Sequence, residues 1–268
     1  MNKILIFIPM YNCNPQIERV LTRIVKLKDS SCFNEVIIID NNSRDSSIEC
    51  AKKVIKGSKI KMKIFLNDDN YNLGGSHKVA FNYAIENEFS HILVLHGDDQ
   101  GDINDVIPFI LNGECLKFDS FLGSRFNKES KLINYSKFRI FGNHVFNRIL
   151  SLLVRDKVED LGSGLNLYKV DYLKSKFYLN FPDTLTFNVY MLLYGIYVKS
   201  NFDYFPLTWR EEDQVSNAKF YKQSKEIASL AFQYIANSEK LFKTNKSNKD
   251  MNYTYTEISS SCLEENLK

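Results

Sequence analysis

The segment Ile92 to Asp102, ILVLHGDDQGD, runs from an apolar stretch straight into His96, Gly97, Asp98, Asp99 and Gln100. Oxygen donors in this order suit a hard divalent cation. The end of a buried strand in an α/β sheet is also where such proteins bind ligands. From the segment alone two readings stay open: a metal and diphosphate site, or an Asp-rich turn that caps a following helix at Asp102.

Three other apolar runs end in residues capable of recognition. The first meets Pro9, Met10, Tyr11 and Asn12; the second meets Asp40, Asn41, Asn42, Ser43, Arg44 and Asp45; the third approaches Asn70, Tyr71, Asn72, Leu73, Gly74 and Gly75. In a parallel sheet these ends lie side by side. An aromatic for stacking, a carboxylate for a base or ribose, a glycine-containing turn before a helix and an acidic cluster together describe a nucleotide-diphosphate pocket. Each also has a plainer reading: Pro9 and Asn12 as strand terminators, Asn42 and Ser43 as a helix start.

The elements that must position these groups follow from periodicity. Ile- and Val-rich runs predict strands near 3–9, 35–40, 61–66, 91–96 and 118–122, with helices near 15–28, 46–56, 74–88 and 103–111 between them. Such alternation implies right-handed βαβ units and an α/β fold with a mostly parallel central sheet flanked by helices. Continuous runs such as VIII at 36–39 suit strands covered on both faces. Beyond residue 123 come a basic amphipathic helix over 136–155, a short strand at 165–170, a helix at 185–195, a strand at 202–207 and a last helix over 217–243. The inner face of that last helix is expected to hold Phe220, Ala228, Ala231, Phe232 and Ile235.

Length and composition bound the function. The 268 residues carry 35 basic and 32 acidic side chains, a net charge of +3 that does not mark a nucleic-acid binder. Five scattered cysteines without CxxC spacing argue against a disulfide framework or zinc knot and fit a reducing cytosol. The run Ile4 to Ile8 stops at Pro9, too short for a signal-peptide core, and no segment approaches the ~18 apolar residues of a membrane span. The chain is expected to be cytoplasmic, soluble or peripheral. In the 136–155 helix, Phe138, Phe141, Val145, Ile149 and Leu152 recur at helical spacing. The favoured reading packs them on the sheet beneath a solvated basic face; the sharper one is peripheral contact of 128–157 with an anionic membrane or lipid-linked acceptor. Residues 244–268 read as a polar tail, poorly ordered or weakly docked.

Seven segments in order, IPMYN (8–12), IIDNNSRDSS (38–47), NYNLGGSHKVAFNYAIE (70–86), LHGDDQGD (95–102), GSRF (123–126), VEDLGSGLNLYKVDYL (158–173) and FPLTWREEDQVSNAK (205–219), resemble the family 2 glycosyltransferases of the GT-A fold. Within them they resemble the branch of dolichyl-phosphate mannose synthase and bacterial polyprenyl-phosphate sugar transferases. The resemblance implies one GT-A domain over 1–243, with a nucleotide-binding half (1–122) and an acceptor-side half (123–243). It gives Pro9, Tyr11 and Asp40 the nucleoside, and Asn72 and Gly74 the turn into the helix carrying Lys78. His96 stands where the family's Asp-x-Asp-x-Gln pattern has its first Asp, so Asp98, Gln100 and His96 become the ligands of a divalent metal, Mn²⁺ or Mg²⁺. Arg125, Arg210 and Lys219 would add positive charge at the leaving group, the last two from a mobile loop over the donor.

The same resemblance makes Asp160 the candidate general base, with Glu159 a substitute, Asp183 a third carboxylate, and Ser163 and Gly164 the turn beneath the acceptor. It implies inverting transfer from a nucleoside-diphosphate sugar, UDP-linked, to a glycan hydroxyl or lipid-linked acceptor in surface polysaccharide synthesis. A lipid phosphate acceptor, or a domain that binds nucleotide sugar without turnover, are the alternatives. Other nucleotide folds lack their motifs: MYNCNP replaces a glycine-rich Rossmann turn, and GxxxxGK[ST] is absent.

Overall fold

In the computed structural model, which describes residues 2–213, 220–248 and 252–261, the Ile- and Val-rich runs become the centre of an eight-stranded sheet. The first half of the chain contains β1 (Ile4–Met10), α1 (Gln16–Val25), β2 (Glu35–Asp40), α2 (Ser47–Ile55), β3 (Met62–Asn67), α3 (Asn72–Glu86), β4 (His91–Leu95) and α4 (Ile107–Leu111). The second half contains β5 (Ser120–Ser124), β6 (Lys131–Ile133), α5 (Lys137–Val154), β7 (Leu165–Lys169), α6 (Val170–Leu173), α7 (Phe187–Tyr197), β8 (Phe202–Pro206), β9 (Thr208–Arg210), α8 (Phe220–Lys243) and β10 (Tyr255–Ser260).

The sheet order is β10-β3-β2-β1-β4-β7-β5-β8, and β1 pairs in parallel with both β2 and β4. Side chains alternate across the strands as the two-residue period requires. Leu5 and Phe7 enter one core with Phe81, Phe187 and Tyr178, while Ile4, Ile6 and Ile8 enter the other with Ile17, Leu21 and Val106. Both faces are therefore buried, which is why β2 carries no exposed residue.

Four features depart from the expected pattern. β7 lies antiparallel between β4 and β5, interrupting the parallel order. The predicted 103–111 helix divides into a single turn at Ile103–Asp105 and α4, with a proline in the first turn of α4. In the polar tail, Tyr255–Ser260 pairs antiparallel with β3 as an edge strand, a role that needs backbone hydrogen bonds more than apolar side chains.

The fourth departure concerns the two late helices. In α5 the buried residues are Asn147, Leu150 and Val154, and the stripe expected to pack on the sheet faces outward. The sequence carries apolar residues on both sides of this helix, and the side bearing Asn147 wins because its amide donates to the Glu159 carbonyl. In α8 the buried residues include Leu230, Ala231, Leu241 and Phe242, whereas Phe232 and Ile235 are exposed; the side chain of Phe220 lies outside the described residues. The stripe that packs is Ile227, Leu230, Ala231 and Tyr234, and Phe232 and Ile235 each stand one residue off it; the helix is kinked only beyond them, at Asn237. Among the described residues no helix is long and apolar enough to cross a membrane.

Candidate active site

The ends of β1, β2 and β4 are stitched together by short backbone bonds. The Gly97 N–H donates to the Pro9 carbonyl at 3.2 Å and the Asn41 N–H to the Met10 carbonyl at 2.9 Å. A Cβ on Gly97 would lie 3.0 Å from the Pro9 oxygen, so glycine is what lets these two strand ends approach. Turns at Asn12, Asn42 and Asn72 each take a positive φ, of 47°, 63° and 56°, a conformation that asparagine tolerates better than most residues. Tyr11 stands exposed at the mouth and Pro9 lines it half-buried.

Asp40 is fully buried at the end of β2. Its Oδ2 accepts the Ser43 N–H at 2.9 Å, its Oδ1 has no partner, and burial raises its pKa. Beside it, Asn41 organises the approach to α3. Its Oδ1 accepts from the Tyr71 N–H at 2.8 Å and from Asn67 Nδ2 at 3.0 Å, and its Nδ2 donates to Asn70 Oδ1 at 2.8 Å. Sequence reasoning gave Asn41 no role, since an asparagine after a strand signals only a turn.

The acidic motif separates into residues with different tasks. Asp99, at a φ of 61°, is buried and held by Arg19 at 2.6 Å and Arg23 at 2.8 Å. Asp98 has no basic partner among the described residues. It accepts only a long bond from the Gln100 N–H, at 3.3 Å, and burial pushes its pKa up to about 6. Asp102 is indeed a cap, accepting from the Asn104 N–H at 3.1 Å, and it also pairs with Arg210 at 3.2 Å. The His96 N–H donates to the Gly164 carbonyl at 2.9 Å, and its ring sits edge-on to His77 with centroids 6.1 Å apart. Burial lowers the pKa of His96 to about 4, which keeps the imidazole neutral, and its Nε2 is buried without a partner.

Among the described residues no three His, Cys, Asp or Glu side chains converge as a ready-made metal cage. A cation bound through a diphosphate does not need one, because phosphate oxygens and water complete its shell. The donors present fit such an ion. Asp98, without a basic partner among the described residues, would offer a carboxylate, the Gln100 amide an oxygen and the orphaned His96 Nε2 a nitrogen that suits Mn²⁺.

Arg125 and Asp160 form one closely bonded unit. Arg125 donates from Nε at 2.7 Å and from its backbone N–H at 2.9 Å to Asp160 Oδ2, and from Nη2 at 2.6 Å to Oδ1, which also accepts the Gly162 N–H at 3.2 Å. The guanidinium lies 5.1 Å from the Trp209 ring and 5.3 Å from the Phe126 ring. Ser163 is buried, and Glu159 pairs with Lys157 at 2.7 Å. Behind this loop is a small cleft of mixed lining, with Asp160, Ser163, Asn166 and Asn188 beside Leu122, Leu161, Tyr168 and Leu192. Arg210 joins the motif through its N–H, which donates to the Gln100 carbonyl at 3.0 Å. Lys219 lies outside the described residues.

Two expected ligand-binding residues serve packing instead. The Lys78 ammonium is fully buried, donating to the Phe181 carbonyl at 2.6 Å, Asp183 Oδ1 at 2.7 Å and the Tyr253 hydroxyl at 3.0 Å. It is spent on tying α3 to the loop before α7, and Asp183 is thereby spent as well. Gly74 meets the same loop: its N–H donates to the Asp183 carbonyl at 2.7 Å, and a Cβ would fall 2.7 Å from the Pro182 oxygen. Asn72 is exposed at the start of α3.

Comparison with known proteins agrees with this architecture. The chain superposes on glucosyl-3-phosphoglycerate synthase from Mycobacterium tuberculosis in complex with UDP with a TM-score of 0.60 at 13% identity, covering 88% of this chain and 80% of that one. The same enzyme with Mn²⁺, UDP and phosphoglyceric acid gives 0.58 at 14% identity, covering 96% and 86%. TarS residues 1–349 from S. aureus gives 0.57 at 17% identity, covering 90% and 69%. These are GT-A glycosyltransferases, and the fold here is GT-A. An uncharacterized glycosyltransferase of Mycoplasma genitalium, MG060, is 26% identical over 144 residues, 51% of this chain; the match spans 47% of that relative's length. The model of the glycosyl transferase family 2 matches residues 5–177, and the chain belongs to that family of glycosyltransferases.

Proposed function

We propose that the chain catalyses metal-assisted, inverting transfer of a sugar from a UDP-linked donor to a glycan hydroxyl or lipid-linked acceptor in the building of a surface glycan. One observation carries this reading. The acidic motif is bonded on one side to the nucleotide strand, through Gly97 and Pro9, and on the other to the acceptor loop and β9, through His96 and Gly164 and through Gln100 and Arg210. Donor and acceptor elements thus meet at Asp98. The glucosyl-3-phosphoglycerate synthase structures with UDP and Mn²⁺ support the choice of nucleotide and ion.

In this reading Tyr11 stacks on the base, Pro9 lines its edge, and the unpartnered Oδ1 of Asp40 accepts an N–H from it. Asn72, exposed and at a positive φ, shapes the turn on the nucleotide side, while Gly74 seats the helix behind it on the Pro182–Asp183 backbone. A divalent ion held by Asp98 with Gln100 and His96 would supply Lewis-acid stabilisation of the departing diphosphate. Arg210, fixed by Asp102, adds positive charge to the same place, and Arg125 extends it toward the acceptor.

A lipid phosphate acceptor, as in the polyprenyl-phosphate branch, is favoured by one specific feature. Both Asp160 oxygens are occupied by Arg125, whereas a general base for a hydroxyl acceptor needs a free one. An ionised phosphate needs no base. The Asp160→Asn variant separates the two: retained turnover supports the phosphate acceptor, and collapse of turnover with donor binding intact supports the hydroxyl acceptor.

A further inference from the structure

Helix α5 turns an uninterrupted apolar face to solvent. Phe138 is 81% exposed, Phe141 68%, Ile149 51% and Leu152 75%, with Val145 and Leu153 also exposed. The steps of three and four between them set these side chains on one stripe, opposite Asn147, Leu150 and Val154, which are buried. Surface helices of soluble domains ordinarily bury such a stripe. A contiguous exposed one marks a place where something else covers it.

The charges around the stripe select its occupant. α5 contains no acidic residue, Lys137 and Arg148 flank the apolar face as exposed cations, and exposed Lys128, Lys131 and Arg155 continue the basic surface beyond both ends. An apolar stripe edged by lysine and arginine is the pattern of a helix lying in the interface of an anionic bilayer, with the cations at headgroup level. A second copy docking through the same face by two-fold symmetry would set like-charged flanks together. We propose that the α5 face is a docking surface for an anionic phospholipid bilayer.

The helix is joined to the candidate active site. Asn147 Nδ2 donates to the Glu159 carbonyl and Ser151 Oγ to the Val158 carbonyl, so α5 holds the segment that presents Asp160. Docking would hold that segment on the inner side of α5, one helix diameter (~10 Å) from the membrane surface. Vesicle binding itself requires neither donor nor metal, so its outcome is independent of the transfer reaction.

The test is co-sedimentation of the full chain with vesicles of phosphatidylcholine alone or mixed with phosphatidylglycerol. The expected result is partition onto the phosphatidylglycerol vesicles only, weakened by salt. A loss on the order of tenfold or more is expected in a Phe138→Ser, Phe141→Ser, Leu152→Ser variant and also in a Lys137→Gln, Arg148→Gln variant. All these side chains are exposed, so unfolding temperature and UDP affinity should match the parent. Absence of partition onto anionic vesicles, or equal partition of the serine variant, would overturn the proposal. So would a solution dimer that the serine variant dissociates, since a second copy would then cover the face.

Discussion

Asp98 and Asp99 are adjacent carboxylates with opposite surroundings. Two arginines neutralise Asp99, while Asp98 is half-buried without a basic partner among the described residues. Asp99→Asn should therefore lower stability by about 1–3 kcal/mol, seen as a reduced unfolding temperature, because it removes the negative charge and one of the two oxygens that accept from the guanidinium groups. Asp98→Asn should leave folding intact and abolish the rise in unfolding temperature that Mn²⁺ with UDP gives the parent. For Asp40, the Ala variant should weaken UDP binding by about tenfold to a hundredfold in calorimetry, the loss of one charge-assisted hydrogen bond to the base. The sequence singled this cluster out only through the motifs at the neighbouring strand ends, since acids after an apolar run also suit an ordinary turn. It could not show which acid was free, because Arg19 and Arg23 lie some eighty positions away and signal nothing locally.

At the scale of elements, α3 packs tightly against the loop before α7. Gly74→Ala would drive a Cβ into the Pro182 and Asp183 backbone, and an unfolding measurement should register a cost of about 1–3 kcal/mol. Lys78→Met should cost about 3–5 kcal/mol, since it strands Asp183 without its cation inside the fold. Both residues stand in the first two turns of α3, behind a glycine-containing start that looks like phosphate-binding chemistry, and only the position of the 181–183 loop turns them into packing residues. The central strands were legible because burial on both faces leaves a continuous Ile and Val signature. β7 was legible as a strand but not as an antiparallel one, for LNLYK carries no mark of direction. β10 was not legible, because an edge strand is held by its backbone. The buried face of α5 was misread because its apolar residues do not choose a side until a neighbour does.

For the whole molecule, acid sensitivity follows from buried imidazoles. Burial lowers the pKa of His91 from 6.5 to about 4, with Lys169 adding to the effect, so the unfolded chain binds this proton more tightly than the folded one. Its contribution is complete above pH 6.5 and is lost as pH falls through about 4, a change of up to about 3 kcal/mol. The unfolding temperature should drop across that window, and His91→Gln should flatten the drop. The central claim is that Asp98 anchors metal-assisted transfer from a UDP-sugar where the two halves of the sheet meet. Its most direct test is release of UDP from a panel of UDP-sugars, with and without Mn²⁺, by the parent chain and by Asp98→Ala. Metal-dependent release that falls by about a hundredfold or more in the variant is the predicted result. Equal release by the two proteins would contradict the account.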